Sequence, residues 1–341
     1  MGYKILAMAL TIIFLLQPQN VDKYEEPTKI IAFNEVCSFD VSASSRHAFS
    51  LTFSSDGSYA ASNGIDGTVQ LFNVKNCSEI RRFKTNQTSL ILLGFTPDNN
   101  YVVSGTANGE KFIKFWDIKT WKEVKRFNIV INGAIAHSFS PNGEYMAVSN
   151  NSKDKGIFIF EVKSGKAILQ IDTHTEPIFS ICYSPDGSMI ASGGSDNIIH
   201  FWDAKTGQEI FNLHGHKGTI SSLAFSPNNQ FIISGSFDKT IRIWDIKNKR
   251  EIKCLTGHSS VITCVKFIEA KYIISGSGNF DETIRLWDIE TGQELCEFHG
   301  HTRAILDITI SPGNKGIIST SKDGTIRKWI IPDFVSRNNN F

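Results

Sequence analysis

Hydrophobic and polar positions alternate along this chain in short runs of five to seven residues. In the segment 215–245, GHKGTISSLAFSPNNQFIISGSFDKTIRIWD, three such runs fall at 219–225, 231–236 and 240–246. The turn signals Ser-Pro-Asn-Asn and Phe-Asp-Lys-Thr separate them. Runs rich in Val, Ile, Phe and Trp, bounded by Ser, Pro, Asn and Asp, predict strands joined by tight turns. A fourth run follows at 251–255. One four-stranded sheet of this kind cannot bury both faces alone, so the pattern needs neighbours.

The neighbours are in the sequence. Phe72, Trp116, Phe160, Trp202, Trp244, Trp287 and Trp329 hold the same place in seven successive units, 42 to 44 residues apart. A fixed period of roughly 40–45 residues with four strands per unit predicts propeller blades. Gly215-His216 pairs with Trp244-Asp245, Gly257-His258 with Trp287-Asp288, and Gly300-His301 with Trp329. On these motifs the chain resembles the WD-repeat β-propellers, from about Lys29 to Pro332. The expectation is an all-β chain: a single seven-bladed β-propeller with four antiparallel strands per blade. Residues 29–332 form that domain, 1–28 an apolar N-terminal segment and linker, and 333–341 a disordered Arg/Asn-rich tail.

The last unit stops after its third strand. The segment EVCSF at 35–39 matches the outer strands EIKCL at 251–255 and ELCEF at 294–298. It is therefore predicted to complete the last blade and close the ring, which removes edges that invite aggregation. Turns such as SPDG at 184–187 join first and second strands, and turns such as TGQE at 206–209 join third and fourth strands. Trp121 stands where those turns carry glycine and is expected to be exposed. The turns around Asn108–Glu110 and Asn151–Lys155 are lengthened, and lengthened turns on a scaffold are where binding tends to reside.

Before the propeller, Lys4 precedes twelve residues, Ile5–Leu16, with Thr11 the one polar member. This fits the basic and apolar regions of a signal peptide and is short for a spanning helix, which needs about 20 apolar residues. Secretory targeting, a membrane anchor, an extension packed on the propeller and a start at Met8 all share this pattern. A cytoplasmic location is the leading expectation.

Lys and Arg total 35 against 34 Asp and Glu, a net charge of +1. That balance disfavours nucleic acid as a partner, because an extended footprint needs clustered, uncompensated Lys and Arg. The six cysteines, Cys37, Cys77, Cys182, Cys254, Cys264 and Cys296, form no C-x-x-C pair and read as small buried hydrophobes.

The resemblance implies a buried network in each intact unit, linking the loop His, a second-strand Ser, the next turn's Asp and the third-strand Trp. The matching sets are His174, Ser192, Asp196 and Trp202; His216, Ser234, Asp238 and Trp244; His258, Ser275, Asp281 and Trp287; and His301, Ser319, Asp323 and Trp329. Four buried polar groups in a chain can satisfy one another. Ser, His and Asp together also suggest a hydrolase triad, but the set recurs four times, and a serine engaged by an indole N–H inside a blade is not free to attack. No catalytic residue is assigned. His214 with His216, and His299 with His301, could share a metal at i and i+2, yet a zinc site needs three or four convergent ligands, so no metal or cofactor is expected.

In WD-repeat propellers the end carrying the loop His and the turn Asp commonly docks partners. The positions carried over to that rim include Phe49, Ile91, Phe179, Phe237, Phe280, Leu306 and Lys322. A contiguous exposed apolar patch marks a protein-interaction surface. The expected function is a non-catalytic scaffold or adaptor, a monomeric propeller within a larger complex, that binds a protein or peptide on this rim. A secreted or membrane-tethered binding module is the alternative if Ile5–Leu16 acts as an anchor. A propeller enzyme is disfavoured for want of a single convergent polar cluster. So is a ubiquitin-ligase substrate receptor, since that subclass favours Trp-Asp-x-Arg and this chain carries Lys119, Lys205, Lys247 and Glu290 at the last place.

Overall fold

A computed structural model describes residues 30–32, 35–40, 48–54, 58–64, 67–74, 76, 78–84, 90–106, 112–128, 136–150, 156–172, 176–310 and 316–331. Among them there is no helix. The strands form seven sheets of a propeller ring. Within blades 1 to 6, first, second, third and fourth strands pair antiparallel in sequence order. In blade 5 they are Ile220–Phe225, Phe231–Ser236, Ile241–Asp245 and Arg250–Leu255, within a residue or so of the runs read from the sequence. In blade 7 the fourth strand beside Thr325–Ile330 is Glu35–Asp40, from the start of the chain. A further short strand, Ile30–Ala32, lies parallel to Glu294–Phe298, so blade 6 has five strands with its outer edge covered.

Each blade buries its faces against the next. Trp244 packs among Ala191, Ile199, Phe201 and Leu213 of blade 4, and Trp287 among Ile233, Ile241 and Ile243 of blade 5. Burying each such aliphatic or aromatic side chain contributes about 1.5–3 kcal/mol, and each is buried only because the neighbouring blade is present. Hydrogen bonds repeat the same step around the ring. The backbone N–H groups of Tyr183, Leu223 and Val265 donate to Ser138, Ser180 and Ser222 of the preceding first strand.

Two bulges recur around the ring. One falls in the first strand, at Phe49, Ile91, Phe179, Ser221, Thr263 and Leu306. The other falls in the outer strand, leaving Ile80, Val124, Ile168, Ile210 and Ile252 exposed on the circumference. A bulge leaves one residue unpaired and re-aims its side chain.

Three expectations meet a correction or a limit. Trp121 is half-buried rather than exposed: it takes the left-handed conformation (φ 59°) that Gly207 takes in blade 4 (φ 72°) and turns its ring onto Phe83, centroids 5.9 Å apart. Cys254 is exposed, since it sits on an outer strand, whereas Cys264 and Cys296 are buried and Cys182 half-buried. The segment 1–28, the tail 333–341, His174 and the turns at 108–110 and 151–155 lie outside the described residues.

Candidate functional site

The ring has two ends. One carries the loops from each outer strand to the next blade and the turns between second and third strands; it holds the loop histidines and turn aspartates. Three quartets lie just beneath it with nearly identical geometry. In blade 5, Trp244 Nε1–H donates to Ser234 Oγ at 2.8 Å, Ser234 Oγ and His216 Nε2 are 2.7 Å apart, and His216 Nδ1 is 2.8 Å from Asp238 Oδ2. In blade 6 the same steps, Trp287 to Ser275 to His258 to Asp281, measure 2.8, 2.7 and 3.1 Å. In blade 7, Trp329 to Ser319 to His301 to Asp323, each is 2.8 Å.

One proton arrangement satisfies every atom. The indole donates to serine, the serine hydroxyl donates to neutral Nε2, and Nδ1–H donates to the carboxylate. Burial pushes His216 and His258 below the ordinary histidine value, against the pull of their aspartates. Burial would raise Asp238, but hydrogen bonds from Thr240, the Lys217 N–H and His216 outweigh it and hold the carboxyl at about 2. Asp281 and Asp323 are lowered in the same way, burial opposing and their histidines and threonines prevailing. Each carboxylate also caps the loop after its histidine, accepting from the N–H of Lys217, Ser259 or Thr302. The serine hydroxyl is thus held on both sides and fully buried inside the blade, out of reach of a substrate.

Blade 4 differs. Trp202 donates to Ser192 at 2.8 Å, while Asp196 lies 3.3 Å from Nε2 of His200, a third-strand residue that stacks on Trp202. Sequence reasoning missed His200 and the ladder to which it belongs. In five blades the residue two before the third-strand Trp, or before Phe72 in blade 1, is cationic or polar and meets a glutamate opposite that aromatic on the outer strand. The pairs are Gln70 with Glu79, Lys114 with Glu123, His200 with Glu209, Arg242 with Glu251, and Arg285 with Glu294. The signal was in the sequence, in IRIWD followed by a glutamate, but seeing it needs the strand register. Blade 3 drops all four polar members together: Phe158, Phe160, Val148 and Ala167 occupy the places of cation, Trp, Ser and Glu. Blade 1 drops one. Phe72 replaces Trp, and Ser62 Oγ is left buried without a partner.

Two proposed rim residues stand out from the His/Asp end. Phe237 is 47% exposed and Phe280 94% exposed. Phe280 sits at φ 79°, a conformation rare for a bulky side chain, in a turn two residues longer than its counterpart in blade 5. The turn is fixed by Asn279, whose Oδ1 accepts from Ala304 N–H at 3.0 Å. Lys322 is exposed on the same rim. Phe179 and Leu306 are half-buried at their bulges, so the apolar rim is narrower there than the sequence suggested. Phe49 and Ile91 occupy the corresponding bulges by backbone register.

The inner strands bring His137, Cys182 and Lys266 into electrostatic contact. Burial and the Lys266 charge push His137 down to about 4, and burial pushes the Cys182 and Cys264 thiols up to about 12. A buried thiol held protonated in this way lacks the lowered pKa of a reactive cysteine. Among the described residues no group of three or more His, Cys, Asp and Glu could hold a metal ion, and no helix is long and apolar enough to cross a membrane.

A comparison with curated proteins returned no match. The family model for the WD domain, G-beta repeat, matches residues 35–73, 165–203, 207–245, 249–288 and 292–329, more than half of the chain. Each match begins at an outer strand and runs through three strands of the following blade, so the sequence repeat straddles two sheets and interlocks them. The unmatched stretch spans blade 2 and most of blade 3; blade 3 has lost the polar positions, whereas blade 2 keeps Trp116, Ser104, Lys114 and Glu123. With its seven four-stranded blades and its recurring Trp–Ser–His–Asp chains, the protein belongs to the WD domain, G-beta repeat family of β-propellers.

Proposed function

We propose that this propeller is a non-catalytic interaction scaffold that docks a protein or peptide segment on its His/Asp end, with Phe280 and Phe237 as anchors. Propellers of this family commonly serve as protein-interaction scaffolds and are generally non-catalytic. The observation that carries the reading is Phe280, held in a left-handed turn with its ring 94% exposed. Both features disfavour the free protein: a strained φ costs of order 1–3 kcal/mol, and a bare aromatic ring keeps its apolar surface in water. A partner that covers the ring recovers the second of these. Exposed aromatics rimmed by polar groups are the usual energetic anchors of protein interfaces, and Lys322 and Asn279 supply such a rim.

The polar quartets are read as the rigid base of this end. They fix the loops after His216, His258 and His301, whose N–H groups donate hydrogen bonds to aspartates two strands away, so the docking turns stand on an ordered floor. Cys182, Cys254, Cys264 and Cys296 are free, one of them exposed, which fits a reducing, cytoplasmic location; imaging of the chain with and without residues 1–20 tests it. The docking reading is tested by affinity purification with mass spectrometry, comparing the intact protein with Phe237→Asp/Phe280→Asp. The expected outcome is loss of one set of partners at an unchanged melting temperature. An identical partner list from both proteins would refute it.

A further inference from the structure

We propose a second docking site at the opposite end of the ring: the groove between blades 3 and 4 takes the apolar anchor of an extended, basic peptide segment. A cavity of about 630 Å³ opens there, lined by residues that include Tyr145, Ile168, Leu169, Tyr183, Asp186 and Asp203.

The seven-fold repeat supplies the internal comparison. At the same place between blades 2 and 3, the Lys125 ammonium spans the gap to the carbonyls of Val162 and Lys163, at 2.9 and 3.3 Å. Between blades 5 and 6, Lys253 reaches the Glu290 carbonyl, and the space that remains is about 390 Å³. Between blades 1 and 2 the Trp121 ring fills the gap against Phe83. Between blades 4 and 5, Phe211 fills it beneath Lys249, 4.9 Å from the ring centre.

Blades 3 and 4 have none of these closures. Leu169 stands in register with Lys125, Phe211 and Lys253. Ala204 stands where the other turns carry Ile118, Val162, Ile246 and Ile289, and is smaller than all of them. Tyr183 ends the first strand where other blades have Phe53, Phe95, Phe139, Phe225 and Phe267. Three departures from the repeat therefore converge on one groove. They remove a strap, remove bulk and add a hydroxyl.

The lining dictates the occupant. Pro141, Ile168, Leu169 and Ala204 make apolar walls, and Ile168 is an exposed lip. Burial, reinforced by the neighbouring Tyr145, pushes the Tyr183 phenol up, so it stays a neutral donor. Two carboxylates border the cavity against one cation, Lys205. Both are held in the charged form. At Asp186 burial opposes, but hydrogen bonds from Ser184 and Ser188 prevail; at Asp203 the Thr206 N–H and hydroxyl dominate. An aliphatic or aromatic side chain next to a Lys or Arg complements this set.

The fold also shows how such a segment would lie. The outer strand Ala167–Ile171 is the edge of its sheet. On blade 6 the chain's own Ile30–Ala32 covers the same edge by parallel pairing, starting opposite Cys296, the counterpart of Leu169. A partner strand added to blade 3 in that manner begins at the groove and extends along the free edge, a recognised mode of peptide capture.

The test uses random twelve-residue peptides on phage, selected against the full chain, with enriched peptides synthesised and measured by fluorescence anisotropy. Ala204→Ile, Leu169→Lys and Tyr183→Phe each install what another blade already carries, so the ring accommodates them; melting curves check this. The expected result is a set of peptides with an apolar residue beside Lys or Arg that lose at least tenfold in affinity on Ala204→Ile and on Leu169→Lys, and none on Phe237→Asp/Phe280→Asp. Failure to enrich any peptide sensitive to Ala204→Ile and Leu169→Lys would overturn the proposal, as would sensitive peptides that are acidic. Loss on the double Phe variant alone would place capture at the other end and leave this groove without a role.

Discussion

The same substitution, Ser to Ala on a second strand, should have opposite signs in blades 1 and 5. In blade 5, Ser234 Oγ accepts from the Trp244 indole at 2.8 Å and donates to His216 Nε2 at 2.7 Å. All three groups are buried. Removing the hydroxyl leaves an indole N–H and an imidazole nitrogen without partners. Each orphan costs about 1–3 kcal/mol, so Ser234→Ala should destabilise by about 2–4 kcal/mol. In blade 1 the equivalent Ser62 is buried, its indole partner is replaced by Phe72, and its Oγ has no partner. Removing that hydroxyl relieves a desolvated dipole and forfeits only the packing of one oxygen. Ser62→Ala should therefore be neutral to stabilising, by up to about 1 kcal/mol. Calorimetry reads both, with about 1–2 °C of melting temperature for each kcal/mol in a chain of this size. If both variants fell by similar amounts, the chain of bonds through Ser234 would not be what stabilises blade 5.

Three further expectations follow from charged groups. His200 is raised above its ordinary value: burial opposes the charge, but Asp196 and Glu209 outweigh it. Its contribution is thus fully present below about pH 6.5 and is lost as pH rises through the raised value, so the melting-temperature gap between the intact protein and His200→Gln should shrink from pH 6 to pH 8.5. Asp238, held at about 2, works in the other direction: its contribution is present above about pH 4 and falls away toward pH 2, which Asp238→Asn should reveal in acid unfolding. Arg285 is buried between Glu294 at 2.8 Å and Glu297 at 3.1 Å. Arg285→Ala strands these carboxylates and should cost about 3–5 kcal/mol in urea unfolding, whereas an exposed control such as Arg303→Ala should change little.

The blades were legible in the sequence because their punctuation is chemical. The Ser-Pro turns, the Trp or Phe of each third strand and the His–Asp spacing of the later units each impose a local geometry, and their periods agree. The ladder from Arg242 to Glu251 was not legible, although every residue was in view, because it depends on which outer-strand residue faces Trp244, and a bulge shifts that register. Trp121 misled for a related reason. A glycine position announces a left-handed turn, but it does not say where a side chain placed there will point, and here the ring goes inward onto Phe83. The rim was partly legible. A turn tip predicts exposure for Phe237 and Phe280, whereas Phe179 and Leu306 lie on bulged strand residues whose direction only the fold decides.

The central claim, that the His/Asp end is the docking face, is tested most directly by site-specific photo-crosslinking. A benzophenone side chain at position 280 should yield a discrete partner adduct in living cells, and one at 237 should yield the same adduct. Position 247, an exposed turn residue at the other end of the ring and away from the blade 3–4 groove, should not. Adducts at 247 with none at 280 or 237 would contradict the account and move the binding face to the other end of the propeller.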